Sequence, residues 1–364
     1  MHIILAILLV NAFVLALCGL IAVAGRFLRQ SGKVRVVVNG NDQQDADCGQ
    51  KLFTTLAGCN VYLPAACGGK GTCGRCLVKV MGGGGPVTPM EKILLTSEQL
   101  VEMARLACQV KIRENIRVEL PAELLSAKGF RAKLLSSVHA AEDIKTLNFA
   151  LEDGQGLEFL PGQYLQVFHR LPWETAIRAY SISSPAHQKT CFSLDVQRVD
   201  GGLVSNFLHQ LQPQQVVEFS GPFGEMALRE SHREMPVILV AGGVGVAPMR
   251  SIVSQLRAWG FLKPVMFFHG ARSRVNLVAE DYFRELEHTC KNFSYFPALS
   301  NPMLEEGWVG QRGMIHLVIE RILPEAAGAV CFVCGPAPMM QSVTKVLVAK
   351  GAASDRIFTD PFDF

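Results

Sequence analysis

Three cysteines at a C-x5-C-x2-C spacing constrain this chain more than any other feature. They are Cys67, Cys73 and Cys76, in the run Cys67-Gly-Gly-Lys-Gly-Thr-Cys73-Gly-Arg-Cys76, and Cys108 follows in Leu106-Ala107-Cys108-Gln109. Thiols gathered this tightly in a long chain predict a metal site before a disulfide framework. A loop that wraps an inorganic centre must turn backbone N–H groups toward sulfur, and Gly68, Gly69, Gly71 and Gly74 give it that freedom. A [2Fe–2S] cluster takes four thiolates, two per iron; three can come from one loop and the fourth from a distant strand. The competitor is a structural zinc site, which usually shows paired short spacings, whereas only one C-x2-C is present here. Cys18, Cys48, Cys59, Cys191, Cys290 and Cys331 read as ordinary buried or membrane residues.

The N-terminus sets a second constraint. Ile3 to Gly25 contains no charged residue and one strongly polar side chain, Asn11. As a helix this stretch spans roughly 34 Å, enough for a hydrocarbon core of about 30 Å. Arg26, Arg29, Lys33 and Arg35 follow, so the positive-inside rule places the rest of the chain on the cytoplasmic side of the inner membrane. A cleaved signal peptide, suggested by Ala22-Val23-Ala24, would want a basic start and a shorter apolar core. Asn11 reads as a tolerated polar residue, with pairing to a partner's helix as the alternative.

The 364 residues are too many for one ordinary core. Net charge is +3, and no basic cluster interleaved with aromatics is present, so nucleic acid is not an expected partner. Residues 33–120 open on Val34–Val38 and the turn signal Asn39-Gly40, and close on the alternating Ile116–Leu120. Gly82 to Gly85 predict a flexible loop, and residues 121–130 a linker. Short strands such as Tyr164–Phe168, with few helical patterns, predict an antiparallel barrel over 131–228. From 234 to 364 the apolar runs Val237–Ala241, Val265–His269 and Val330–Val333 alternate with helical segments, as in a doubly wound α/β domain. The expected chain is thus multidomain, with an anchor over 1–26 and three folded domains.

Two further motifs carry chemistry. Arg178-Ala179-Tyr180-Ser181 sits in an alternating strand after Pro161-Gly162-Gln163-Tyr164. Gly201-Gly202-Leu203-Val204-Ser205-Asn206 opens a short helix, whose N–H groups suit a diphosphate, and Gly221-Pro222-Phe223-Gly224 follows. Ala241-Gly242-Gly243-Val244-Gly245-Val246-Ala247-Pro248 joins a strand to a helix. Gly243 and Gly245 permit a tight turn beside a phosphate, and Pro248 suits the first helical turn. Cys334-Gly335-Pro336 ends another apolar strand.

These pieces, in this order, resemble the ferredoxin reductase superfamily, and residues 33–120 resemble plant-type or adrenodoxin-type ferredoxins. More closely, Lys51-Leu52 through Cys76, Leu106–Val110 and Val118–Pro121 resemble the F subunits of the sodium-translocating NADH:quinone oxidoreductases, a family that also begins with one transmembrane helix. The resemblance implies a β-grasp ferredoxin domain with Cys67, Cys73, Cys76 and Cys108 as cluster ligands. It implies that Arg178 meets the pyrophosphate of FAD, that Tyr180 lies against the isoalloxazine beside Tyr164, and that Ser181 hydrogen-bonds the flavin near N5. Gly202, Val204 and Ser205 would give a second pyrophosphate contact. Gly243, Gly245, Pro248, Gly335 and Pro336 would hold NADH, with Cys334 beside the nicotinamide. Arg272, in Gly270–Arg274, lies where relatives hold the adenosine ribose; an arginine there can pair a 2′-phosphate, so NADPH is the lesser alternative. A C-terminal aromatic, Phe362 or else Phe364, would cover the flavin.

NADH gives up two electrons as a hydride and the cluster accepts one, so a flavin must stand between them. The expected enzyme is a membrane-anchored NADH oxidoreductase delivering electrons to integral-membrane acceptor proteins, as part of a sodium-translocating complex. The barrel is shorter than the family's between Phe168 and Ile177 and between Ser184 and Gly201. That motivates the alternative, a reductase serving a membrane-associated monooxygenase, hydroxylase or desaturase.

Overall fold

The computed structural model describes residues 2–28, 32–40, 42–121, 124–125, 127–152, 154, 156–301 and 307–362. The chain divides into two compact units, one made of residues 1–59 and 76–122, the other of 60–75 and 123–364.

The first unit begins with helix α1, His2–Leu28. Its 27 residues would reach about 40 Å, and apolar side chains such as Phe13, Leu15 and Leu20 are exposed. Asn11 donates its amide to the Ile7 carbonyl one turn back, at 2.9 Å, so the polar group is satisfied within its own helix. Among the described residues no helix is long and apolar enough to cross a membrane; the side chains of α1 are described without a break only over 9–21.

A five-stranded sheet follows: β1 Lys33–Val38, β2 Asp42–Asp47, β3 Leu77–Gly82, β4 Ala104–Leu106 and β5 Ile116–Glu119, ordered β2-β1-β5-β3-β4. The hairpin β1–β2 turns at Asn39-Gly40, and β1 pairs with β5 in parallel. Val34, Val36 and Val38 alternate inward and share the buried side of this unit with α2, Leu52–Gly58, which buries Leu52, Phe53 and Leu56. Two short helices, α3 Pro89–Leu94 and α4 Ser97–Val101, each start on a threonine capping box. The Gly82–Gly85 stretch is not the free loop its glycines predict. The Arg105 guanidinium donates to the carbonyls of Gly84, Gly85 and Pro86 at 3.0–3.1 Å. The same guanidinium grips the fully buried Glu91 carboxylate at 2.9 and 3.0 Å.

The second unit carries six antiparallel strands: β6 Lys128–His139, β7 Ile144–Leu151, β8 Tyr164–Arg170, β9 Thr175–Ser181, β10 Cys191–Gln197 and β11 Val216–Phe223. They run β10-β7-β6-β11-β8-β9, and the bridge Ile182↔Leu194 closes them into a barrel. Phe149, Phe192 and Phe219 pack edge-to-face and stacked in its core. β6 begins at Lys128, so the expected linker is shorter than residues 121–130. Helix α5, Leu203–Gln210, packs on the barrel.

A parallel sheet completes this unit: β12 Val237–Gly242, β13 Val265–Ala271, β14 Phe293–Leu299, β15 Gln311–Arg312, β16 Val330–Pro336 and β17 Ile357–Phe362, ordered β15-β14-β13-β12-β16-β17. All six residues of β12 are buried, as continuous apolar runs demand of a central parallel strand. Helices α6 Val246–Ala258 and α7 Glu280–Thr289 cover one face, while α8 Ile315–Ile322 and α9 Ala337–Ala349 cover the other. The chain order reverses between β12 and β16, a switch point whose carboxyl-end crevice is where such sheets bind ligands.

Candidate active site

The strand β9 carries Arg178 and Tyr180 to a cleft of about 960 Å³. Its walls hold Tyr164, Arg178, Tyr180 and Ser181 from the barrel, Gly202, Val204 and Ser205 at the start of α5, and Val244 and Ala247 from the glycine turn. The seven residues assigned to the flavin from sequence therefore share one cavity. The Ser181 hydroxyl is buried and has no protein partner, an orphan that a flavin nitrogen would satisfy. Arg178 supplies a cation; its Nη1 donates to the Ile177 carbonyl at 2.6 Å. Burial raises the Tyr180 hydroxyl well above its ordinary value, although Arg178 opposes the shift. Ser205 is spoken for: its Oγ accepts from Val199 N at 3.2 Å and closes the turn beneath α5. The cradle fits FAD: a slot beside two tyrosines, a buried hydroxyl, a cation and a helix N-terminus.

The cysteine loop reaches the same cleft, which sequence reasoning did not foresee. Ala66, Cys67 and Lys70 line it. Gly68, at φ +62, lies so close to β9 that a Cβ would stand 1.9 Å from the Ile177 carbonyl oxygen. Only glycine permits that approach, so the loop is keyed into the strand that carries Arg178. Cys67 and Cys73 place their sulfurs 3.3 Å apart. The Cys73 thiol and the N–H groups of Thr72, Cys73 and Gly71 hold the Cys67 thiol well below its usual range, with burial opposing them. Backbone donors aimed at sulfur are what a cluster loop needs. In the first unit, Ala107 N donates to the Cys76 carbonyl at 2.9 Å, which fixes the chain next to Cys108 against the start of β3. All four thiols are free of disulfides. Among the described residues no three His, Cys, Asp or Glu converge on a single-ion site; a two-iron cluster asks for two thiolates per iron.

A second cavity of about 1120 Å³ opens at the carboxyl ends of β12, β13 and β14. Gly243, Arg272 and Pro336 line it, with Asp143, Gln197, Asn276, Ser300 and Met339. Gly243 takes φ +56 in the turn, and a Cβ on Gly245 would lie 2.3 Å from the Cys334 carbonyl oxygen. Gly245 thus serves the packing of turn on strand, and Pro248 sits inside the first turn of α6. Gly335 packs against Met339. The cavity, its glycine turn and Arg272 fit a dinucleotide. Cys334 lines neither cavity; its fully buried thiol donates to the Asp360 carbonyl at 3.2 Å. Asp360 itself lines the flavin cleft, and burial pushes its carboxyl up to about 7 against the opposing charge of Arg75. The Phe362 side chain and all of Phe364 lie outside the described residues; β17 extends to Phe362, in register with Pro336.

Sequence reasoning missed Asp195, Gln197 and Val199 in the flavin cleft and Asp143 in the second cavity. Asp195 gave no signal in the sequence, because a carboxylate between the apolar Leu194 and Val196 of a strand has the ordinary pattern of a solvent-facing residue.

The chain matches three family models: the 2Fe-2S iron-sulfur cluster binding domain over 36–113, the oxidoreductase FAD-binding domain over 131–228 and the oxidoreductase NAD-binding domain over 239–345. It is 31% identical over 407 residues to the F subunit of the Na(+)-translocating NADH-quinone reductase of Klebsiella pneumoniae, covering all of both chains. The protein of the same name from Neisseria meningitidis is 32% identical over 406 residues, again with full coverage. The crystal structure of Amycolatopsis cytochrome P450 reductase GcoB matches with a TM-score of 0.70 at 25% identity, over 90% of this chain and 98% of that one. The ferredoxin reductase in carbazole 1,9a-dioxygenase shares the fold, with a TM-score of 0.69 at 22% identity, over 91% and 99%.

Proposed function

The chain belongs to the family of Na(+)-translocating NADH-quinone reductase F subunits, and on that premise we propose that it is the NADH-input component of such a complex. Its cofactors are FAD, NADH and a [2Fe–2S] cluster. Bound FAD would supply the conversion between the two-electron hydride of NADH and the one-electron chemistry of the cluster. The observation that carries this reading is the shared cleft. The Cys67 loop, the Arg178–Ser181 strand and residues Val244 and Ala247 all face it, which supports a relay between donor and acceptor at this cleft.

The chain's own residues bind and orient. Arg178 neutralises the pyrophosphate, and the N–H groups at the start of α5 add to it. Tyr164 and Tyr180 would hold the isoalloxazine, and Ser181 would offer it the buried hydroxyl. Gly243 and the turn before α6 hold the nicotinamide dinucleotide, with Arg272 at the adenosine end and Pro336 near the nicotinamide. Cys67, Cys73, Cys76 and Cys108 ligate the cluster. No side chain is assigned as acid or base in the hydride step.

The modules run 1–26, 33–120, 131–228 and 234–364. We place α1 across the inner membrane with the folded domains on the cytoplasmic side. The uncharged run from Ile3 to Gly25 supports this, as do the arginines and lysine that follow it. The second reading, an oxygenase reductase, draws on the likeness to the cytochrome P450 reductase GcoB and on an alignment with the Klebsiella pneumoniae relative that is longer than this chain.

Isolation from native membranes in mild detergent separates the two. Co-purification with integral-membrane quinone-reductase proteins, and quinone reduction stimulated by sodium, is the expected result. Co-purification with an oxygenase instead would overturn the assignment to the sodium complex and leave the electron-transfer chemistry in place.

A further inference from the structure

Asp195 is a charged residue with a wholly buried side chain, on the barrel strand β10 and in the wall of the flavin cleft. Its neighbours Leu194 and Val196 belong to the barrel core. Asp195 Oδ1 accepts from Thr146 Oγ1 at 2.7 Å on β7 and from Ser183 Oγ at 3.3 Å, just past β9. The remaining donor comes from the nicotinamide side of the same unit. Arg250 Nη1, on α6, reaches both carboxylate oxygens, at 2.7 and 2.8 Å. Arg250 stands five positions after Gly245 on the helix that the glycine turn opens, and Val244 and Ala247 of that turn line the same cleft as Asp195.

Asp195 is wholly buried while the Arg250 side chain stays partly exposed, and an ion pair that desolvates a carboxylate is a poor way to gain stability, because the desolvation cost offsets much of the attraction. What the pair does provide is a fixed geometry. One carboxylate gathers donors from the barrel strand β7, from the segment just past β9 and from the nicotinamide helix. We propose that Asp195 and Arg250 are positioning residues for hydride transfer, tying the nicotinamide turn to the flavin cleft at reacting distance. This rests on the flavin and nicotinamide assignments above. The step they serve is balanced: NADH loses a hydride to become NAD+, and the flavin gains that hydride with a proton from water.

The test uses the full-length holoprotein and follows flavin reduction by stopped flow at saturating NADH, with protio and C4-deuterated donor. In Arg250→Met we expect FAD content to be kept, KM for NADH to change little, and the saturating rate to fall roughly ten- to a hundred-fold, as misplacement by a fraction of an ångström to one ångström does. The deuterium effect should rise as the chemical step becomes slower. Arg250→Lys should recover part of the rate. The double variant Asp195→Leu/Arg250→Met should unfold near the wild-type temperature yet stay slow. If the rate returns with stability in the double variant, or never falls in Arg250→Met, the pair is structural and the proposal is overturned. Should Arg250→Met fail to fold, Arg250→Gln decides, because an unchanged saturating rate and isotope effect without the cation would equally overturn it. A wild-type protein that binds no FAD, or whose flavin NADH does not reduce, would instead refute the site assignment.

Discussion

The hydroxyl of Ser181 and the imidazole of His269 are both buried without a full set of partners, yet they have opposite meanings. Ser181 faces a cleft, and its missing partner is a cofactor atom. His269 stands in the core of the parallel sheet, with Tyr295 Oη 2.9 Å from its Nδ1 and Phe267 stacked on it. Burial lowers the His269 imidazole to about 3. Between that value and its unfolded value of about 6.5, the unfolded chain binds a proton that the folded chain refuses. Stability is therefore intact above about pH 6.5 and falls as pH drops, by up to about 1.4 kcal/mol per pH unit from this group. Denaturant unfolding at a series of pH values should show that slope, and His269→Gln should flatten it; an identical pH profile in the variant would contradict the account. At the flavin, Arg178→Ala should lower FAD retention on gel filtration because the pyrophosphate loses its cationic partner. A fully FAD-loaded variant would count against that role. Most of the cleft was legible because Arg178, Tyr180, Ser181 and Gly202 come in a diagnostic order. Asp195 was not, since in an alternating strand a lone carboxylate reads as solvent-facing, and only tertiary packing brings Arg250 to it. The family resemblance places Cys334 beside the nicotinamide, and its thiol donates to the Asp360 carbonyl.

Among the elements, the cysteine loop and the Gly82–Gly85 stretch show how glycines mislead and inform. In the first, positive φ at Gly68, Gly69, Gly71 and Gly74 is what turns backbone donors to sulfur, as its composition foretold. In the second, the same residue type signalled freedom, and a distant arginine removed it. Glu91, Arg105 and the loop carbonyls form one network, and Leu106 N also donates to Glu91 Oε1 at 2.9 Å. Burial favours the protonated Glu91, but Arg105 and the N–H groups of Thr88 and Leu106 outweigh it and keep the carboxylate charged. Because β4 leads directly to Cys108, the network anchors the segment that carries the fourth ligand. Glu91→Ala leaves a buried guanidinium unpaired and should cost about 3–5 kcal/mol, with lower iron content per chain. Wild-type stability and full cluster loading would refute the role. Cys108→Ser should lose or distort the cluster while FAD stays bound; two irons per chain with an unaltered visible spectrum would exclude Cys108 as a ligand.

For the whole molecule the account turns on an ordered path, and each domain was readable because each has its own period: continuous apolar strands for the parallel sheet, short alternating strands for the barrel, clustered thiols for the ferredoxin module. The meeting of cysteine loop, barrel strand and glycine turn at one cleft was not readable, because a shared surface leaves no periodic trace. Since β1 starts a few residues after α1 ends, covalent geometry keeps the start of the ferredoxin module within roughly 20 Å of the helix end. The most direct measurement is an anaerobic reaction of the purified holoprotein with one equivalent of NADH, following flavin absorbance by stopped flow and the cluster by electron paramagnetic resonance of freeze-quenched samples. We predict that the flavin bleaches first and the reduced cluster signal grows afterwards, and that Cys67→Ser keeps NADH-to-ferricyanide activity while losing reduction of the membrane acceptor. A flavin that bleaches beside a cluster that stays oxidised, or a cluster reduced by NADH in FAD-free protein, would contradict the path.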